Sequence, residues 1–200
     1  TCWFRSKKLS NMVQMVFLDT NVILDYLENR QHEVRDIIAQ LLLLHKKARI
    51  MLATSIFNVT EVIDKEFEIH FSGWCINERM SFDEMNRLRR NEKLYREVSE
   101  NNKTSIERKI REFISQNEIL LLTFPEDPAR YGEVCDLVYR YQLQSQDALM
   151  VAAALANNAT YFLSNDSELM KSVSEIFAYA YDLRNEGRRK AFRNEVLEAL

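Results

Sequence analysis

Short apolar runs alternate with longer amphipathic stretches along this chain, and the spacing within each decides what it can form. MVQMVFL (residues 12–18), RIMLATS (49–55), EILLLTF (118–124) and TYFLS (160–164) are brief and rich in Val, Ile, Leu and Phe. Such runs predict buried strands, and a weaker one at residues 176–179 predicts a fifth. Between them, apolar residues recur three and four apart. That period predicts helices over about 21–29, 32–47, 56–71, 129–142, 145–157 and 166–172, and a charged helix at the C-terminal end. Residues 76–117 differ: NERMSFDEMNRLRRNEKLYREVSE and TSIERKIREFISQ are long, charged and helical in pattern.

Strands alternating with helices predict a three-layer α/β/α fold around a mostly parallel central sheet. Crossovers in such sheets are right-handed, so strand C-terminal ends and helix N-termini share one edge, where ligands bind. Residues 1–11 read as an N-terminal extension, ahead of a start at Met12 or Met15. Residues 12–200 read as one domain with a helical insertion at about 76–117.

The edge rule selects four acids. Asp19 follows the first strand, Glu61 sits in the early turns of the helix after the second, and Asp166 follows the fourth. Asp147 opens SQDALMVAAALANN on the stripe of Met150, Val151 and Ala154, and an acid on an apolar stripe points inward. Each acid has a bland alternative. Asp19 and Asp166 fit helix N-caps, Asp147 fits a first-turn charge that complements the helix dipole, and Glu61 fits a surface acid. Four inward carboxylates at one edge repel one another, however, and are tolerated when hard cations such as Mg²⁺ or Mn²⁺ occupy them.

These residues carry a resemblance. FLDTNVILDYL, SIFNVTEV, SQDALMVAAA and FLSNDSELM, in that order, resemble the segments of PIN-domain ribonucleases, the family that includes the VapBC-type toxins. The resemblance spans roughly residues 13–180 and implies that Asp19, Glu61, Asp147 and Asp166 are the catalytic and metal-holding residues. Thr20, Asn21, Ser164 and Asn165 would be their close supports. It further implies homodimerisation and, for toxin members, an antitoxin protein. The departures are Ser164 where Thr is commoner, Glu168 where Asp or His is commoner, and the helical segment 76–117.

Composition narrows the chemistry. The hydrophobic share of 46% and charged share of 28% are those of a soluble globular protein. A net charge of −3 gives no global basic field, so RNA contact must be local or assisted by cations. Cys2, Cys75 and Cys135 form neither a C-x-x-C pair nor a zinc spacing and suit a reducing cytoplasm. No apolar stretch is long enough to span a bilayer, and no secretion signal is visible. The three histidines show no ligand spacing, so hydrolysis of a phosphodiester by metal-activated water fits the acids better than a histidine base does.

Residues 78–112 hold ten Lys or Arg against eight acids. One reading is a solvated helical hairpin laced with i,i+4 ion pairs. The other is a clip on RNA, with Arg87, Arg89 and Arg90 on phosphates and Phe82, Tyr95 or Phe113 stacking on bases. RRKAFR, residues 188–193, has the same ambiguity. The expected function is a Mg²⁺- or Mn²⁺-dependent endoribonuclease acting on single-stranded RNA. Its rivals are a catalytically silent PIN-like scaffold and a haloacid dehalogenase-type phosphatase, which wants a second Asp where this chain has Asn21.

Overall fold

A computed structural model describes residues 13–91, 100 and 102–198 of the chain. The extension at 1–11, Cys2, Lys93, Tyr95 and Arg96 lie outside the described residues. The strands are β1 (Gln14–Leu18), β2 (Ile50–Ser55), β3 (Leu120–Leu122), β4 (Tyr161–Ser164) and β5 (Tyr179–Asp182). They form one sheet in the order β3-β2-β1-β4-β5, and every neighbouring pair is parallel.

Helices follow from the apolar spacing. After β1 come α1 (Thr20–Leu27) and α2 (His32–Lys46). After β2 come α3 (Ile56–Asn77), α4 (Phe82–Arg90) and α5 (Lys103–Gln116). A single 3₁₀ turn (Pro128–Arg130) leads into α6 (Tyr131–Arg140), then α7 (Ser145–Ala156). α8 (Ser167–Ile176) follows β4, and α9 (Glu186–Phe192) with a π-helical turn (Arg193–Leu197) follows β5.

The strand period of two sorts the core into two layers. Val16, Leu18, Ile50, Leu52 and Leu163 face one side, packed against α1, α2, α5 and α9. Met15, Phe17, Ala53 and Phe162 face the other, packed against α6, α7 and α8. Phe17 and Phe162 stand in register on neighbouring strands with rings stacked 5.1 Å apart. A sheet covered on both faces explains why the strands read as continuous apolar runs rather than alternating ones. The fold is the expected three-layer α/β/α arrangement, with the sheet parallel throughout.

Three elements depart from the sequence expectation. α3 continues beyond residue 71 to Asn77, because Phe71 and Cys75 extend its buried stripe. α8 likewise runs past residue 172, anchored by buried Val173. The fifth strand is displaced toward the C-terminus, since Ile176 still belongs to α8 and Phe177 closes that helix. Among the described residues, no helix is long and apolar enough to cross a membrane.

Topology fixes where a site forms. The helix after β1 packs on one face of the sheet and the helix after β4 on the other. These two strands are neighbours, so their outgoing connections diverge and leave a crevice at their C-terminal ends. That is the switch point at which open parallel sheets bind ligands.

Candidate active site

Asp19 ends β1 at this crevice, and its backbone N–H donates to Leu163 O on β4 at 3.0 Å. Its side chain is only 3% exposed. One oxygen, Oδ1, accepts from the Thr20 N–H at 2.7 Å and from Asn58 Nδ2 at 3.2 Å. The other, Oδ2, accepts from the Ser164 hydroxyl at 2.6 Å. Asp19 is therefore the N-cap of α1 and a buried acid at the sheet edge at once. Burial pushes its carboxyl up to about 7; the Ser164 and Thr20 bonds oppose that rise, and Glu61 and Asp147 add to it.

Glu61 lies in the second turn of α3 and is held by Thr20, whose hydroxyl donates to Glu61 Oε2 at 2.7 Å. Asp147 sits half-buried in the first turn of α7. Burial, then the charges of Asp166 and Glu61, push its carboxyl up to about 6. Met150, Val151 and Ala154 below it are buried, as the stripe requires. Asp166 caps α8, its Oδ1 accepting from Glu168 N at 2.9 Å and Leu169 N at 3.1 Å. Its own N–H donates to Ser164 Oγ at 2.9 Å. One Ser164 hydroxyl thus joins the two strand-end acids.

The four acids share one field. Asp19 responds to Glu61 and Asp147, and Asp147 to Asp166 and Glu61. Their hard oxygen donors and accumulated negative charge fit a divalent cation such as Mg²⁺ or Mn²⁺. Among the described residues, no group of three or more His, Cys, Asp or Glu is already arranged to hold a metal ion. The acids form a common field rather than a closed cage.

Asn58 is the residue that sequence reasoning missed. It completes a capping box with Ser55 at the start of α3, and its amide reaches Asp19, Thr20 Oγ1 at 3.0 Å and Met150 Sδ at 2.9 Å. It ties β1, α3 and α7 together, and its only sequence signal is the S-x-x-N cap after an apolar strand. Asn165, expected as a support for the acids, instead donates to Asp25 on α1. Asn21 and that pair line one polar pocket beside Asp166. Asp182, at the end of β5, is committed to its own turn, accepting from Ser167 Oγ, Arg184 N and Asn185 N.

Of the candidate RNA contacts, Phe82, Arg87, Arg89 and Arg90 fall on α4, which buries none of its residues. Arg89 is ion-paired with Glu68 at 2.9 Å and lies over the Phe71 ring, 5.9 Å from its centroid. Both partners are on α3, seven and ten residues beyond Glu61, which is about 10–15 Å farther along the helix axis. Arg87 and Arg90 are exposed. Phe82 is 71% exposed, whereas Phe113 is buried against Tyr26 and so unavailable for stacking on a base.

A family model, PIN domain, matches residues 16–176. The chain belongs to the PIN-domain family. No curated protein and no solved structure matches it significantly. PIN domains are generally nucleases, hydrolases that typically use divalent metals and bind RNA, and this PIN domain carries its acids where the sheet topology opens.

Proposed function

We propose that this PIN domain is an endoribonuclease that hydrolyses phosphodiester bonds of single-stranded RNA with Mg²⁺ or Mn²⁺. The observation that carries the proposal is the shared field of Asp19, Glu61, Asp147 and Asp166 at the switch point. These four carboxylates would hold the cation. When bound there, it offsets charge developing on the phosphate and lowers the pKa of the attacking water.

The protein's own groups supply positioning. Ser164, Thr20 and Asn58 fix both oxygens of Asp19, so that carboxylate cannot rotate away from the crevice. Thr20 holds Glu61 by one oxygen, and Asp166 keeps Oδ2 clear of the bonds that cap α8. Asp147 is half-buried, and among the described residues no hydrogen bond engages its carboxylate, so an oxygen not on the cation can take a proton from the attacking water. Water attacks phosphorus, the P–O3′ bond breaks, the departing 3′-oxygen takes a proton from solvent to become a 3′-hydroxyl, and the other new end carries a 5′-phosphate.

Arg87 and Arg90 are proposed as peripheral phosphate contacts, with Arg89 holding α4 on α3. By the VapBC resemblance, an antitoxin and a second copy of the chain are proposed partners, testable by light scattering and co-purification. Cleavage is expected to require Mg²⁺ or Mn²⁺, to stop in EDTA, and to leave 5′-phosphate ends. Undiminished cleavage by purified protein in excess EDTA, or 2′,3′-cyclic phosphate ends, would overturn the reading.

A further inference from the structure

A second polar feature adjoins the acids. A pocket of about 300 Å³ opens beside Asp166, between the α1–α2 connection and the segment after β5, and no apolar side chain lines it. Its buried side chains are Asp25, 6% exposed, and Asn165, 3% exposed. Asn165 Nδ2 donates to Asp25 Oδ2, which fixes the amide's orientation, and Asn165 Oδ1 is buried with no partner. Beside the Asn165 bond, the Asp25 carboxylate on the floor has acceptor capacity left over, and burying such a group without donors is unfavourable. At the mouth stand Arg30 and Arg184, both exposed. Neither guanidinium has a hydrogen-bond or ion-pair partner among the described residues; both act on Asp25 only by partial charge compensation.

A ligand that satisfies this pocket must carry N–H donors at its inner end and negative charge at its outer end. A nucleotide does both. Of the four RNA bases, guanine alone presents two adjacent N–H groups, N1–H and N2–H, that can meet one carboxylate side by side. We propose that the pocket holds one nucleotide of the substrate next to the cleavage point and prefers guanine. Asp25 accepts from the base edge, and Arg30 and Arg184 hold a backbone phosphate. The inference takes the nature of its ligand from the nuclease reading, and it adds a sequence preference that the four acids cannot provide.

The test uses the full chain in EDTA, where no cleavage occurs, titrated with 5′-GMP, 5′-AMP, 5′-CMP and 5′-UMP by calorimetry. GMP is expected to bind at least tenfold more tightly than UMP. Asp25→Asn should flatten the order of the four bases. Joint Arg30→Ala and Arg184→Ala substitution, at exposed positions, should weaken all four by a similar factor of ten or more. Equal binding of the four nucleotides by the wild type, or GMP binding untouched by the double arginine variant, would overturn the pocket. If Asp25→Asn does not fold, the wild-type base order and the arginine pair still decide. Cleavage of RNA by the wild type in Mn²⁺ is scored separately. A chain that cuts RNA yet binds the four nucleotides alike keeps the nuclease reading and loses the pocket. One that prefers GMP without cutting RNA keeps the pocket and loses the nuclease reading.

Discussion

Asp19 and Asp166 show that a helix cap and a functional acid need not be rival assignments. Each uses an oxygen to cap the helix that follows its strand, and capping is what aims the carboxylate at the sheet edge. Asp147 differs, because among the described residues no hydrogen bond to its carboxylate compensates burial and the neighbouring charges that raise its pKa. Removing that charge should relieve the metal-free fold. Asp147→Asn is expected to be as stable as the wild type in EDTA or more stable, by about 1 kcal/mol, because strained functional groups trade stability for activity. In millimolar Mn²⁺ the order should reverse, since the wild type gains binding free energy that the variant largely lacks. RNA cleavage should fall by orders of magnitude. Thermal melts with EDTA and with Mn²⁺ decide. A variant less stable in EDTA with an unchanged Mn²⁺ shift would make Asp147 a helix-start residue only.

At the scale of elements, the segment after α3 divides into two unlike pieces. α4 is polar and buries nothing, while α5 buries Ile106, Ile110 and Phe113 in the same layer as β1 and β2. Lys109, one of the basic residues counted toward an RNA clip, is instead an anchor. It pairs with Glu28 at the end of α1 and with Glu66 of α3, whose side chain is fully buried. Lys109→Met should cost about 3 kcal/mol, because it strands a buried carboxylate. Adding Glu66→Gln should recover at least half of that loss in urea melts. A loss below about 0.5 kcal/mol would mean that Glu66 is neutral without its partner. The sheet and the helix starts were legible because apolar runs and periods are local properties of the chain. The end of α3 was not, since Ser72-Gly73 reads as a weak helical stretch and only packing of Phe71 and Cys75 carries the helix across it. Nor were the contacts of Asn58 with Asp19, 39 residues away, or of Asn165 with Asp25, 140 residues away. Partner choice at that separation is set by the folded sheet, and one sequence holds no period that reports it.

For the molecule as a whole, the acids make the fold's stability depend on pH in a direction opposite to ordinary acid denaturation. In an unfolded chain the Asp19 carboxyl loses its proton near 3.8, whereas in the fold it keeps it until about 7. Between those values the folded state binds the extra proton, so raising the pH favours unfolding. The contribution is whole below about pH 4 and is lost as pH rises through about 7. Asp147, raised to about 6, and Asp25, also raised by burial, act in the same sense. Glu28, Glu133 and Glu186 have lowered values and act oppositely, but their contribution is lost only below the usual glutamate range. Lys109 is raised from a value that is already alkaline. A window from about pH 5.5 to 8 therefore isolates the raised acids. In EDTA the melting temperature is expected to fall by several degrees across that window, corresponding to about 2–3 kcal/mol. Glu66 is raised as well and lies away from the crevice, paired with Lys109. Mn²⁺ separates the two sources, because a cation among the site carboxylates favours their ionised forms while leaving Glu66 as it was. With saturating Mn²⁺ the decline should flatten or reverse, and the Mn²⁺-induced rise in melting temperature should be larger at pH 8 than at pH 5.5. A decline of the same slope with and without Mn²⁺ would assign it to Glu66 and Asp25, and would leave the four edge acids without the field on which the nuclease reading rests.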